Sequence, residues 1–376
     1  MFYKNARILT SDFTFRHGAF EVVDGRFGAI LPENVPEDAI DLQGATVIPG
    51  LVDVHSHGNS GADFSDGDYE GLKKMAAFYA SVGVTSFAPA SMTLPYEILE
   101  KAFATAVKLV DEKPENCSVL RGIQMEGPYF SMKKKGAQNG AYLKDPDFEG
   151  FKKLYDGCNG LVRIVDVAPE LPGAAEFVEK ARKLCTVSLA HTDSDYDHAT
   201  AACDAGATHL THLYNAMPGI NHRNPGVIPA AVENKNVRAE VICDGYHIHP
   251  AAIRLAFSMF GGDRMILVSD SGRCCGMEEG SSFELGGQTA WLRDGVARLG
   301  DGTIACSAAN LYDCMVNAIK FGVKEEDAIR AASYNPACAI WADKEVGSIE
   351  EGKVADFLVC SNDYADRQVY LAGKKI

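Results

Sequence analysis

Residues 49 to 58 read PGLVDVHSHG, a short apolar run that closes in two histidines one serine apart. In an extended strand, residues two apart project from the same face, so His55 and His57 stand about 6–7 Å apart on one side. Two imidazoles side by side at a strand end can hold a divalent metal. They can equally be two polar residues that close a strand, so the pair takes its meaning from the runs that follow.

Seven further strand-like runs follow: VTSFAPAS, VLRGIQMEG, LVRIVDVAPE, TVSLAHT, ATHLTHLYN, VRAEVICDG and RMILVSD. Helical patterns separate most of them, for example PYEILEKAFATAVKLVDE, GAAEFVEKARKLC, YDHATAACDAG and HPAAIRLAFSMFG. Eight strands alternating with helices predict an α/β chain folded as a (β/α)8 TIM barrel. A doubly wound open sheet ranks second, because no G-x-G-x-x-G follows an early strand. The first 48 residues and the tail are instead short β-rich stretches broken by Gly, Asp and Pro. The division expected is therefore 1–48 with 341–376 as one small β-domain, and 49–340 as the barrel. The segment GGQTAWLRDGVARLGDG (286–302) reads as a hairpin inserted after the eighth strand.

Bulk properties narrow the function. With 376 residues, 47% hydrophobic and 23% charged, the chain is an ordinary globular one with a sizeable core. A formal net charge of −15 speaks against nucleic acid or an anionic membrane as partner. The N-terminus has no secretory pattern, and no apolar run is long enough for a membrane helix. Eleven cysteines without a C-x-x-C pair suit reduced thiols in a cytoplasm. Cys274 and Cys275 are adjacent and do not easily bridge each other.

The strand ends carry the chemistry. The first run closes on His55 and His57, the third on Glu126, the fifth on His191, the sixth on His212 and the eighth on Asp270. In a barrel all strand C-termini meet at one face, so these side chains converge although they span more than two hundred positions. One buried histidine is usually a satisfied core residue; six metal-capable groups at one register are not. Imidazoles with carboxylates and no thiolate suit zinc, iron, manganese or cobalt, with zinc the first guess. Two ions bridged by Glu126, or one ion on Glu126, His191 and His212, both fit and leave room for water. A metal lowers the pKa of water toward ~7, and Asp270 can move the proton to a leaving amine. That is metal-assisted amide hydrolysis. Asn215, His222 and Arg223 follow strand six, and His247 follows strand seven; Arg and His beside a metal suit a phosphate or carboxylate. His198 and His249 read as structural, and His209, three positions from His212, as turned away from the site.

These residues sit in blocks that resemble the N-acetylglucosamine-6-phosphate deacetylases of the amidohydrolase superfamily. The blocks are PGLVDVHSHG, GIQMEGPYF, AHTDSDYDHA, THLYNAMPGINHRNPG, CDGYHIHP, LVSDS and VGSIEEGKVADFLV, in order over essentially the whole chain. The resemblance implies a barrel with a small β-sandwich from both termini, a homodimer, and release of acetate from N-acetyl-D-glucosamine 6-phosphate in amino-sugar catabolism. It assigns Glu126, His191 and His212 as the shared metal ligands and Asp270 as the acid/base. Retention of His55 and His57 favours a second ion. It further assigns Asn215, Ala216, Arg223 and His247 to the sugar phosphate, and Ala137, Gln138, Ile304, Ala305 and Cys306 to the pocket wall.

Several positions depart from the family. Gln138, in KKKGAQ, replaces a histidine; Ala190 and Cys306 stand where glycine is usual; and SDSGRCCGM differs from the commoner loop after the acid/base. None touches a metal ligand, but the Gln138 exchange opens a galactosamine-type epimer as an alternative substrate. Cyclic-amide hydrolases of the same superfamily usually bridge two metals with a carboxylated lysine, and Glu126 holds the strand-three position instead. A metal-free scaffold would leave a buried polar cluster without compensation.

Overall fold

The computed structural model describes residues 1–376 apart from 286–287, 301 and 303 and the side chains of 285, 288 and 305. All eight strands expected for the barrel are present. The first is Leu51–Asp53, the second Val84–Phe87, the third Ile123–Tyr129 (preceded by a short strand at Val119–Leu120) and the fourth Val162–Val167. Thr186–Leu189, His209–Leu210, Arg238–Ile242 and Met265–Val268 are the fifth to eighth. Strands three to eight form one parallel arc, and strands one and two another. A parallel bridge between Ala90 and Gln124 joins the two arcs. On the other side the Asp270 N–H donates to the His55 carbonyl at 2.9 Å, bringing strand eight against strand one.

The barrel wall follows the two-residue period of a strand. Met265 and Leu267 pack outward against the helices, whereas Ile266 and Val268 pack inward. The same parity carries Ile164 and Ile242 inside, with Val165 and Val241 outside. Inward positions nearer the C-terminal face become polar: Gln124, Asp166 and Thr211 hydrogen-bond one another there. Between the strands run helices such as Tyr96–Glu112, Ala174–Ala181, Tyr196–Ala205 and Pro250–Phe260. Asp195 caps one of them by accepting from the His198 N–H, and His249 caps another by accepting from Ala251 N–H.

The segment after strand eight is larger than a hairpin. It is a four-stranded antiparallel sheet of Ser282–Leu285, Gln288–Arg293, Val296–Leu299 and Ile304–Ser307. Its last strand returns to the barrel rim, where Ser307 N–H donates to Asp270 O at 3.1 Å and Gly272 N–H to Ser307 O at 3.0 Å.

The chain ends build one mixed sheet. Phe2–Leu9 and Phe15–Val23 pair antiparallel, Thr46–Pro49 lies between Phe2–Leu9 and Phe357–Cys360, and Arg367–Leu371 follows outside. The expected sandwich arises because this sheet rolls over itself. Phe20 and Phe357 lie on strands three places apart, a span of about 14 Å in a flat sheet. Their ring centroids are only 5.1 Å apart. Phe357 also meets Tyr3 at 5.5 Å and Tyr370 at 4.4 Å, so one ring pins both halves of the roll. Phe357→Ala should therefore destabilise the protein by about 3–5 kcal/mol, and Phe357→Leu by much less, read from urea unfolding midpoints. Equal, small losses for both would show that the roll does not depend on this ring.

Candidate metal centre and active site

Strand ends from around the barrel deliver five side chains to one point. His55 and His57 follow strand one, Glu126 lies in strand three, His191 follows strand five and His212 follows strand six. All five are buried. They form two groups that share Glu126: His55, His57 and Glu126, and Glu126, His191 and His212. Within each group the nearest ligand atoms lie within 4.8 Å of one another.

The backbone turns sharply to aim these side chains. His191, His212 and Asp270 have φ of +43°, +32° and +45°, a region that costs a residue with a side chain about 1–3 kcal/mol. Each lies just beyond its strand, where the chain leaves extended geometry. Three such residues at one rim mark the place where folding energy is spent on aiming side chains.

Hydrogen bonds to the far ring nitrogens set the tautomers. His57 Nδ1 faces the Ala90 carbonyl at 3.2 Å and His191 Nδ1 the Lys134 carbonyl at 2.8 Å. Carbonyls only accept, so each Nδ1 donates and each Nε2 of a neutral ring keeps its lone pair. His55 Nδ1 meets the Glu240 carboxylate at 2.8 Å in the same sense. The Nε2 atoms then turn on Glu126 and on one another. His191 Nε2 is 3.0 Å and His212 Nε2 3.3 Å from Glu126 Oε1, and the two nitrogens are 3.1 Å apart. His57 Nε2 stands 3.3 Å from Glu126 Oε2 and 3.4 Å from Asp270 Oδ1. His55 Nε2, fully buried, has no hydrogen-bond partner, with Glu126 at 3.7 Å and Asp270 at 3.6 Å.

Lone pairs facing lone pairs and carboxylates demand positive charge. Burial alone would lower the His55 pKa, but Glu240, Asp270 and Glu126 outweigh it and raise it to about 10. Divalent cations meet the same demand while leaving the imidazoles neutral, and the donor set of nitrogens and carboxylates suits them. The five residues fit one or two such ions.

Glu240 was not found from the sequence. It sits in strand seven, buried, with one oxygen 2.8 Å from His55 Nδ1 and the other 2.8 Å from His209 Nε2. The signal was available: in VRAEVICDG it shares the inward parity of Ile242, and a charge inside an apolar strand needs partners. His209 does not join the cluster, but through Glu240 it supports it. Two-residue counting fails there because strand six is only His209–Leu210, and the chain has turned by His212.

The cluster opens into a cavity of about 360 Å³. Ala137, Gln138, Asn215, Ala216, His247, Asp270, Ile304 and Cys306 all line it, as do Met92, Gly136 and Gly272, which the sequence reading did not name. Ala305 lies in the strand between Ile304 and Cys306, and its side chain is outside the described residues. Arg223 is not brought to this cavity; it stands exposed in the loop after strand six. That loop carries the guanidinium outward, which local sequence order cannot foretell. His247 is held by Asp244, whose Oδ2 is 2.6 Å from Nδ1. Gln138, expected to stand clear of the metal ligands, touches one: its Nε2 donates to Glu126 Oε2 at 2.6 Å and its Oε1 accepts from Thr93 N–H at 2.8 Å.

Known proteins resemble this chain over nearly its full length. The profile of the amidohydrolase family matches residues 46–376. The N-acetylglucosamine-6-phosphate deacetylase of Bacillus subtilis is 33% identical over 96% of this chain and 93% of its own. The N-acetylgalactosamine-6-phosphate deacetylase of Escherichia coli O157:H7 is 30% identical over 98% and 97%. Among solved structures, a mutant N-acetyl-D-glucosamine-6-phosphate deacetylase of Mycobacterium smegmatis, in complex with N-acetyl-D-glucosamine-6-phosphate, superposes with a TM-score of 0.93 at 31% identity, covering 100% of this chain and 98% of that one. With its rolled terminal sheet, its barrel and its histidine–carboxylate rim, the chain belongs to the amidohydrolase family.

Proposed function

We propose that this protein hydrolyses the N-acetyl amide of N-acetyl-D-glucosamine 6-phosphate, giving D-glucosamine 6-phosphate and acetate in amino-sugar catabolism. The observation that carries the reading is the Glu126-centred cluster beside Asp270 in one cavity, within a chain similar from end to end to deacetylases of this substrate.

A divalent cation on Glu126, His191 and His212, with or without a second on His55 and His57, supplies the Lewis acidity that acidifies water and polarises an amide carbonyl. Zinc is the first choice among zinc, iron, manganese and cobalt. The chain's own groups do the rest. Asp270 Oδ1, at the cavity wall, accepts the proton of the attacking water as its oxygen bonds to the acetyl carbon. It then returns that proton to the sugar nitrogen as the C–N bond breaks, so the amine leaves neutral. His247, oriented by Asp244, and Asn215 with the Ala216 backbone hold the sugar phosphate. Arg223, exposed on this chain, serves the pocket of a neighbouring subunit in a homodimer. The β-rich ends, 1–48 with 341–376, form a domain separate from the barrel of 49–340. Eleven free thiols suit a reducing cytoplasm.

One observation favours a second substrate. Gln138 replaces a histidine, and both ends of its amide are already bonded to Glu126 and Thr93. Fixed in this way, it offers a single remaining Nε2–H where an imidazole would stand, a change at the pocket wall that opens the site to the galactosamine epimer. Acetate release from both sugar phosphates decides this: the glucosamine substrate should give the higher kcat/KM. A higher value for the galactosamine epimer would reassign the substrate, and release from neither would overturn the reading.

Two variants test the residue roles. Asp270→Asn should lower kcat about 10²–10⁴-fold while leaving sugar-phosphate affinity nearly unchanged. Near wild-type turnover would remove Asp270 from the proton path. Glu240→Gln should weaken metal retention about 10–100-fold, because His55 loses the group that orients it. This is read as metal content after dialysis against a chelator. Unchanged retention would confine Glu240 to packing.

A further inference from the structure

Two departures from the family pattern, thirty-two positions apart in the sequence, meet in space. Cys306 stands where glycine is usual, Cys274 lies in the altered loop after Asp270, and their sulfurs are 3.7 Å apart. Cys306 Sγ lies over Gly272, where a Cβ would come within 2.2 Å of it. Cys306 lines the substrate cavity, whereas Cys274 is fully buried behind it in the small core beneath the inserted sheet. Cys275, next in the chain, has no sulfur partner among the described residues.

We propose that Cys274 and Cys306 are a redox modification site in the wall of the substrate cavity, closing to a disulfide under hydrogen peroxide and reopening under a dithiol. The chemistry balances. Cys306 sulfur, reached through the cavity, attacks the peroxide; the O–O bond breaks, water leaves, and Cys306 becomes a sulfenic acid. Cys274 sulfur then attacks the Cys306 sulfur; the S–O bond breaks, the S–S bond forms, and a second water leaves with the thiol proton. Two electrons pass from the sulfurs to the peroxide. The hydrogen bond with Cys274 and burial push the Cys306 pKa up, so the response is slower than that of a low-pKa sensor thiol.

Closure draws two sulfurs from 3.7 Å to the bonded distance of about 2.05 Å. Both segments are tied to Asp270: Ser307 N–H donates to its carbonyl at 3.1 Å, and Gly272 N–H donates to Ser307 O at 3.0 Å. The bond therefore pulls on the two backbones that hold the proton-transfer carboxylate and narrows the cavity wall.

The test treats metal-loaded protein with hydrogen peroxide, then measures acetate release and maps disulfides by mass spectrometry of unreduced digests. The expected result is a 274–306 cross-linked peptide and an activity loss of about 10–100-fold that a dithiol restores. Cys274→Ser should match the wild type before oxidation and resist the loss, with Cys274→Ala as a second variant should serine disturb the buried site. Absence of the 274–306 peptide would overturn the proposal, as would a cross-link without loss of activity, or an equal loss in both variants. The peptide map is independent of the substrate reading, so failure of the one is distinguishable from failure of the other.

Discussion

Everything at the rim turns on one buried carboxylate. Glu126 offers Oε1 to His191 and His212 and Oε2 to His57 and Gln138, with His55 just beyond. Burying an anion in this way is unfavourable unless positive charge comes with it. Four imidazoles whose Nε2 atoms face it supply the ligands for that charge, and carbonyl and carboxylate partners behind three of them fix which nitrogen points inward. The left-handed backbone at His191 and His212, the polar layer of the barrel just beneath the rim and the Glu240–His209 pair all serve this geometry.

The fold makes such a site possible by an indirect route. A parallel barrel gathers strand ends from distant parts of the sequence at one face, and the helices outside bury the other side of each strand. The closing contact, Asp270 N–H to His55 O, is also the point where the proposed acid/base meets the first pair of histidines. Closing the barrel and completing the site are thus one event in the structure. The inserted sheet then returns Ile304 and Cys306 to the cavity, so its wall is drawn from both the barrel and a late excursion of the chain.

How far the sequence alone reaches depends on range. The barrel strands were legible because period-two alternation and β-branched runs survive in isolation, as MILV and RIVDV show. The metal-capable residues were legible because each terminates such a run. Glu240 was missed because its role exists only across the barrel, with partners at 55 and 209. Sequence proximity puts Arg223 near the site, but the loop after strand six carries it into solvent. Counting along a strand misleads at His209, because that strand ends after two residues. The roll of the terminal sheet depends on Phe357 meeting Phe20, and no local pattern encodes that contact.

The most direct test of the central claim is anomalous X-ray diffraction from crystals of protein grown with zinc. A strong peak is expected about 2.0–2.2 Å from Glu126 Oε1, His191 Nε2 and His212 Nε2. Any second peak should fall between Glu126, His55 and His57. Crystals without a peak at the rim, with the same histidines bonded to Glu126 through protons instead, would contradict it.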